Sequence, residues 1–164
     1  MEKSVNKPTS AFMAASWASL ILGVSAYALG LWNSEMMLNE KGYYLITLLF
    51  GLFSAISLQK TVRDKMEGIE VTSLYFNMCW FAVVASLSFL SIGLWNAELL
   101  LSEKGFYGMS YVLSLFASIA VQKNVRDIAG DSENLEKTDS VKKRFFDRKS
   151  LNADDTDVNS SNRD

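Results

Sequence analysis

The chain has no histidine. The commonest metal ligand and the commonest general base near neutral pH are therefore both missing. Serines are plentiful, but without histidine they do not make a nucleophile–base–acid set. The single cysteine, Cys79, excludes an intramolecular disulfide and a thiolate cluster, and its place inside an apolar run reads as a small packing residue. With one proline, Pro8, near the start, little interrupts helices further on. No glycine-rich phosphate loop and no metal-ligand spacing is present. These absences argue against an enzyme and against a resident metal or cofactor.

Charge is missing from particular places. The net charge is only −2, yet the charged residues are segregated away from four apolar blocks, a pattern that reads as membrane spans. The spans run over about 11–32, 42–58, 74–95 and 105–121. The first holds no charge over a length of ~33 Å as helix, enough to cross a ~30 Å hydrocarbon core. It follows a polar segment, residues 1–10, in which Pro8, Thr9 and Ser10 suit a helix entry. A cleavable leader is the rival reading, because Ala26-Tyr27-Ala28 resembles a processing site. The run is long for a leader, and its counterpart recurs deep inside the chain, so a retained helix is expected.

That recurrence organises the whole sequence. Gly30-Leu31-Trp32-Asn33-Ser34-Glu35 returns as Gly93-Leu94-Trp95-Asn96-Ala97-Glu98, displaced by about 63 residues, as expected of an internal duplication. Glu40-Lys41-Gly42-Tyr43-Tyr44 returns as Glu103-Lys104-Gly105-Phe106-Tyr107, and Gln59-Lys60-Thr61-Val62-Arg63-Asp64 as Gln122-Lys123-Asn124-Val125-Arg126-Asp127. Each repeat, 11–64 and 74–127, is a two-helix unit. Asn39 and Ser102 are expected to cap the second helix of each unit, with Asp64 and Asp127 at its far end.

Lysine and arginine set the orientation. Lys3, Lys7, Lys60, Arg63, Lys65, Lys123 and Arg126 lie near the termini and the middle connection, whereas the two short turns carry Lys41 and Lys104 against Glu35, Glu40, Glu98 and Glu103. The positive-inside rule then places both termini in the cytoplasm, makes the copies parallel, and puts Trp32 and Trp95 at the outer interface.

Three features bear on function, each with a plainer reading beside it. Glu35, Glu40, Glu98 and Glu103 would ring one outer mouth and attract cations if the repeats pack about a pseudo-twofold axis. Alternatively, Glu40 and Glu103 merely complement the N-termini of their helices, screened by Lys41 and Lys104. The inner interfacial motif (Gln59, Lys60, Arg63, Asp64, Gln122, Lys123, Arg126 and Asp127) is either a lipid or partner site or a set of anchors at helix C-termini. Small residues at helical spacing serve either self-association or packing within one chain. They are Ala15, Ser19, Gly23, Ala26 and Gly30, then Gly51 and Ala55, Ala82 and Ser86, and Ser110, Ser114 and Ser118. No charged residue sits in the core of a span, which argues against a proton-coupled carrier.

From 131 to 164 the composition turns polar, with an acidic end at Asp154, Asp155 and Asp157, and reads as a disordered cytoplasmic tail. Within it, Val141–Lys149 surrounds a Phe pair with basic residues, suiting either anionic lipid or a solvated linker. The tail as a whole is slightly acidic, a poor fit for nucleic acid.

The duplicated signatures resemble the YiaA/YiaB family of bacterial inner membrane proteins, built from a two-helix domain that some members carry twice. The likeness covers about residues 9–127; the charged tail goes beyond it. It implies a bacterial inner membrane location and four transmembrane helices. It brings no activity, cofactor or site residue. The expectation is an all-α membrane protein of four transmembrane helices, made from two parallel helical-hairpin repeats. Its partners are the bilayer and, in an interaction role, a second copy or another membrane protein. A structural or interaction module is the leading reading. A small channel or carrier with acidic outer loops, and a lipid- or stress-responsive protein acting through its tail, are the alternatives.

Overall fold

The structure is a computed structural model that describes residues 8–160, with the side chains of 131, 133–135 and 145–160 left aside. Lys3 and Lys7, which entered the orientation argument, lie outside the described residues. Four helices account for almost all of it: α1 (Ser10–Asn33), α2 (Leu38–Met66), α3 (Ser73–Asn96) and α4 (Leu101–Ser160). No strand occurs among the described residues. Each helix contains a segment long and apolar enough to cross a membrane, in α4 within Leu101–Gly130. The all-α, four-span architecture is the one the hydropathy pattern implies.

The helix ends follow from local chemistry. Thr9 Oγ1 accepts the Phe12 N–H at 3.3 Å and caps α1, directly after Pro8. Asn39 and Ser102 do not cap their helices. The start of α2 moves upstream to Met37, whose N–H donates to Glu40 Oε2 at 2.8 Å, and Leu100 N–H donates likewise to Glu103 at 2.9 Å. A glutamate three residues in can reach back to the cap position, which is half of a capping box. At its far end α2 runs two residues past Asp64. Gly68, at φ +79°, donates to Lys65 O, and Ile69 N–H donates to Asp64 O. These paired bonds around a left-handed glycine form a Schellman closure.

The chain divides into a unit spanning Thr9–Asn124 and a second containing the chain from Val125 onward. In the second, residues 131–160 are helical, where the composition suggested disorder; 161–164 lie outside the described residues. The physical reason is that a core and a helix are different demands. No glycine or proline falls between 131 and 160, and extending an existing helix carries no fresh nucleation cost. Lys142, Lys143 and Arg144 are exposed along it. The rest of the basic island, from Phe145, has side chains outside the described set.

Within Thr9–Asn124 the helices interlock across the repeats. A Cβ placed on Gly23 of α1 would meet Ser114 Oγ of α4 at 2.7 Å, and one on Gly30 would meet the Phe106 ring at 2.7 Å. The second pairing mirrors this: a Cβ on Gly93 of α3 would meet the Tyr43 ring of α2 at 2.7 Å. The first helix of each repeat therefore packs on the second helix of the other. Gly23, Gly51, Ser86 and Ser114 are consumed inside one chain, so these members of the small-residue stripes serve close approach between its own helices. Their serines donate to carbonyls of their own helices, Ser114 to Ser110 O at 2.7 Å and Ser86 to Val83 O at 2.8 Å. An i−3 or i−4 carbonyl is always within reach of a helical hydroxyl. Large apolar side chains point outward instead, among them Leu22, Phe53 and Phe81, as expected where lipid tails are the solvent.

Candidate functional site

The duplicated motif at the two hairpin turns is first of all a mechanical device. Asn33 Nδ2 donates to Leu29 O at 2.9 Å and Asn96 Nδ2 to Ile92 O at 2.9 Å, tying the last turn of each first helix. Lys41 Nζ reaches back to Trp32 O at 3.1 Å and Lys104 Nζ to Trp95 O at 3.4 Å. An ammonium is thereby set on the carbonyl end of one helix, while the neighbouring glutamate holds the amide end of the next. The Glu-Lys pair staples each turn. Trp32 and Trp95 themselves are largely exposed.

Around these turns lies a cavity of about 1010 Å³. Its lining comes mostly in repeat pairs: Asn33 with Asn96, Glu35 with Glu98, Met36 with Leu99, Glu40 with Glu103, and Tyr44 with Tyr107. The pseudo-twofold axis relating the repeats therefore passes through it. All four glutamates singled out from sequence line this one space, and no lysine or arginine does. They differ in state. Glu40 and Glu103 are bonded to helix amides, whereas Glu35 and Glu98 are exposed. No three carboxylates among the described residues converge closely enough to hold a metal ion.

Tyrosine closes the space below, a feature that sequence reasoning missed. Tyr44 and Tyr107 are each 3% exposed and stack at 6.0 Å with an interplanar angle of 20°. Beneath them Tyr27 and Tyr111 are fully buried. Buried hydroxyls need partners, and Tyr27 and Tyr111 find them on backbone carbonyls of another helix, Tyr27 donating to Tyr44 O at 3.1 Å and Tyr111 to Thr47 O at 3.3 Å. The more exposed Tyr43 donates to Phe89 O at 2.6 Å in the same manner. The available signal was a tyrosine inside an apolar run, such as Tyr27 or Tyr111.

The charged residues of the inner motif in the first repeat pair along their own helix. Lys60 pairs with Asp64 at 3.9 Å and Arg63 with Glu67 at 2.8 Å, both along α2. Gln59 is half-buried on α2, Gln122 is half-buried and Lys123 exposed on α4, and Arg126 and Asp127 belong to the second unit. The buried member of each copy is the variable position that the motif appeared to leave free. Thr61 Oγ1 lies 3.5 Å from Cys79 Sγ, and Asn124 Nδ2 donates to Ser16 Oγ at 3.1 Å. Thr61 and Asn124 are repeat counterparts, as are Cys79 and Ser16, so each lock joins a first helix to a second helix of the other repeat. Cys79 is buried, as expected of a packing residue.

Comparison with known proteins gives a consistent picture. The description of the yiaA/B two helix domain matches the chain twice, over residues 12–64 and 75–127. The chain is 56% identical over 127 residues to the inner membrane protein YiaA of Escherichia coli K12, covering 77% of this chain and 88% of that protein. It is 35% identical over 72 residues to the membrane protein YubF of Bacillus subtilis, covering 43% of this chain and 83% of that one. Inner membrane protein YiaB of E. coli K12 is 25% identical over 99 residues, which is 60% of this chain and 84% of the relative. No solved structure matches.

Proposed function

Because this chain belongs to the yiaA/B two helix domain family and carries the domain twice, we propose that it works as a non-enzymatic interaction module of the inner membrane. It is a multi-pass inner membrane protein. In this reading the bundle is a rigid scaffold, and the acidic cavity at the hairpin turns is what it presents to partners on the outer side. The orientation rests on charge: Lys60, Arg63 and Lys65 cluster at the opposite end of α2 from the turn, and cationic segments stay cytoplasmic. Both termini are then cytoplasmic.

The observation that carries the proposal is the closed floor. A channel needs a polar path through the bundle, but stacked Tyr44 and Tyr107 lie above fully buried Tyr27 and Tyr111. The four carboxylates end at a surface space rather than leading into a conduit. The test is cation flux in reconstituted vesicles. The module reading expects none above empty vesicles. A flux abolished when Glu35, Glu40, Glu98 and Glu103 are all changed to Gln would replace it with the channel reading.

A further inference from the structure

We propose that the interface between the repeats is a selective recognition surface, on which each two-helix unit accepts the other and refuses a second copy of itself. The chain is then a tethered heterodimer of unlike units. The inference does not depend on the outer cavity.

The room at this interface and the groups that fill it are divided unequally. Gly23 of α1 leaves the space that Ser114 of α4 occupies, since a Cβ there would lie 2.7 Å from Ser114 Oγ and 3.0 Å from its backbone N. Gly51 of α2 leaves the space for Tyr111, and a Cβ there would collide with the hydroxyl. That hydroxyl donates to Thr47 O and has Ser86 of α3 as a hydrogen-bonding neighbour. Both vacancies therefore belong to the first repeat. Ser86, Ser114 and Tyr111, all fully buried, belong to the second.

The repeat register turns this into a pairing rule. Ser86 is the counterpart of Gly23, Ser114 of Gly51 and Tyr111 of Leu48. Were two second repeats to pair, Ser86 would stand in the place of Gly23 against Ser114, and Ser114 in the place of Gly51 against Tyr111. Each brings a Cβ where there is no room, and the twofold relation repeats both collisions. Were two first repeats to pair, Gly23 would face Gly51 and Leu48 would stand where the tyrosine does. Nothing collides at these positions, but gaps open and the bond to Thr47 O is lost. Close packing is what holds helices together in lipid, so both like pairings lose to the unlike one. Contacts that fit one partner and clash with the other are how an interface discriminates. The remaining close approaches carry no such preference: Gly30 meets Phe106 and Gly93 meets Tyr43, and these are counterparts of one another. Selectivity therefore resides at Gly23 and Gly51 and the groups they admit.

The test is reciprocal exchange of glycine and serine in the full-length chain, read by denaturant unfolding in detergent. Gly23→Ser alone should shift the folding equilibrium about tenfold or more toward the unfolded state, the ordinary effect of overpacking. Adding Ser114→Gly, across the interface, should recover most of that loss. Adding Ser86→Gly instead gives a chain of the same composition and the same two changes in helix propensity, yet it should recover none. Gly23→Ala, relieved by Ser114→Gly in the same way, stands as the second variant if Gly23→Ser fails to assemble. Like-with-like chains complete the set. Gly23→Ser with Gly51→Ser should lose more stability than Ser86→Gly with Ser114→Gly, although glycine is the poorer helix former. Recovery by both partners alike, or by neither, would overturn the proposal. So would the absence of any loss from Gly23→Ser and Gly23→Ala, or a glycine pair that costs more than the serine pair.

Discussion

Gly51 of α2 sits directly under the Tyr111 side chain of α4, so close that a Cβ there would collide with the hydroxyl and lie 2.7 Å from Cζ. Gly51 was one of the small residues whose spacing suggested self-association, and its neighbour turns out to be in the same chain. Tyr111 in turn spans to Thr47 O, so one ring joins a packing contact to an interhelical hydrogen bond.

Gly51→Ala should therefore destabilise the monomer rather than an oligomer. Overpacking at a site with little room costs about 1–3 kcal/mol. Tyr111→Phe removes the atom in closest conflict, so adding it to Gly51→Ala should recover part of that loss even though Tyr111→Phe alone sacrifices a hydrogen bond. A double-mutant cycle followed by denaturant unfolding in detergent reads the coupling. Additive losses would mean that the two residues do not meet.

The Ser16–Asn124 and Cys79–Thr61 locks occupy equivalent places in the two repeats. Changing Ser16→Cys together with Asn124→Thr writes the second lock into the first site, and its stability should stay within ~1 kcal/mol of the natural chain. Asn124→Leu leaves a bulky apolar group against Ser16 and should cost about 1–3 kcal/mol. The same unfolding experiment separates them. Equal losses in both variants would show that the interchange of locks has no physical meaning.

Glu40 and Glu103 hold the first turns of α2 and α4. Glu40→Ala should cost about 1 kcal/mol, the ordinary worth of a cap, and Glu40→Gln less, because an amide oxygen still accepts the Met37 N–H. Glu35→Gln and Glu98→Gln should leave stability unchanged. Thermal unfolding across this set distinguishes the glutamates that hold a helix start from those that do not.

Much of this was legible in the sequence because it depends on what the bilayer demands. Apolar runs of membrane length, charge confined to the turns and the recurrence of Gly-Leu-Trp-Asn are enough for four spans and two hairpins. The common surroundings of Glu35, Glu40, Glu98 and Glu103 followed from supposing a pseudo-twofold axis. What was not legible depends on which helix meets which. Hydropathy is silent on whether Gly30 meets Phe106 or another chain, and so on whether a stripe of small residues is internal. Tyr27, Tyr44, Tyr107 and Tyr111 read as ordinary apolar positions until neighbouring carbonyls are in place. Thr61 and Asn124 differ between the copies, so repetition does not mark them, yet different residues fill the same buried lock. Asn39 and Ser102 are good caps by residue type, but Glu40 and Glu103, the residues next to them, reach back three positions and set the helix starts at Met37 and Leu100.

The central claim is that both hairpin turns face the outside, so that one acidic cavity is formed from two parallel repeats. Cys79→Ser gives a background without cysteine and matches the serine at the equivalent place in the first repeat. On that background Glu35→Cys, Glu98→Cys and Lys65→Cys are made singly, and intact cells are treated with a membrane-impermeant maleimide. The account predicts that cysteines at 35 and 98 are both labelled without permeabilisation and that the one at 65 is labelled only after it. Labelling at 35 but not at 98 would mean that the repeats are inverted and share no outer cavity, and that result would contradict the account.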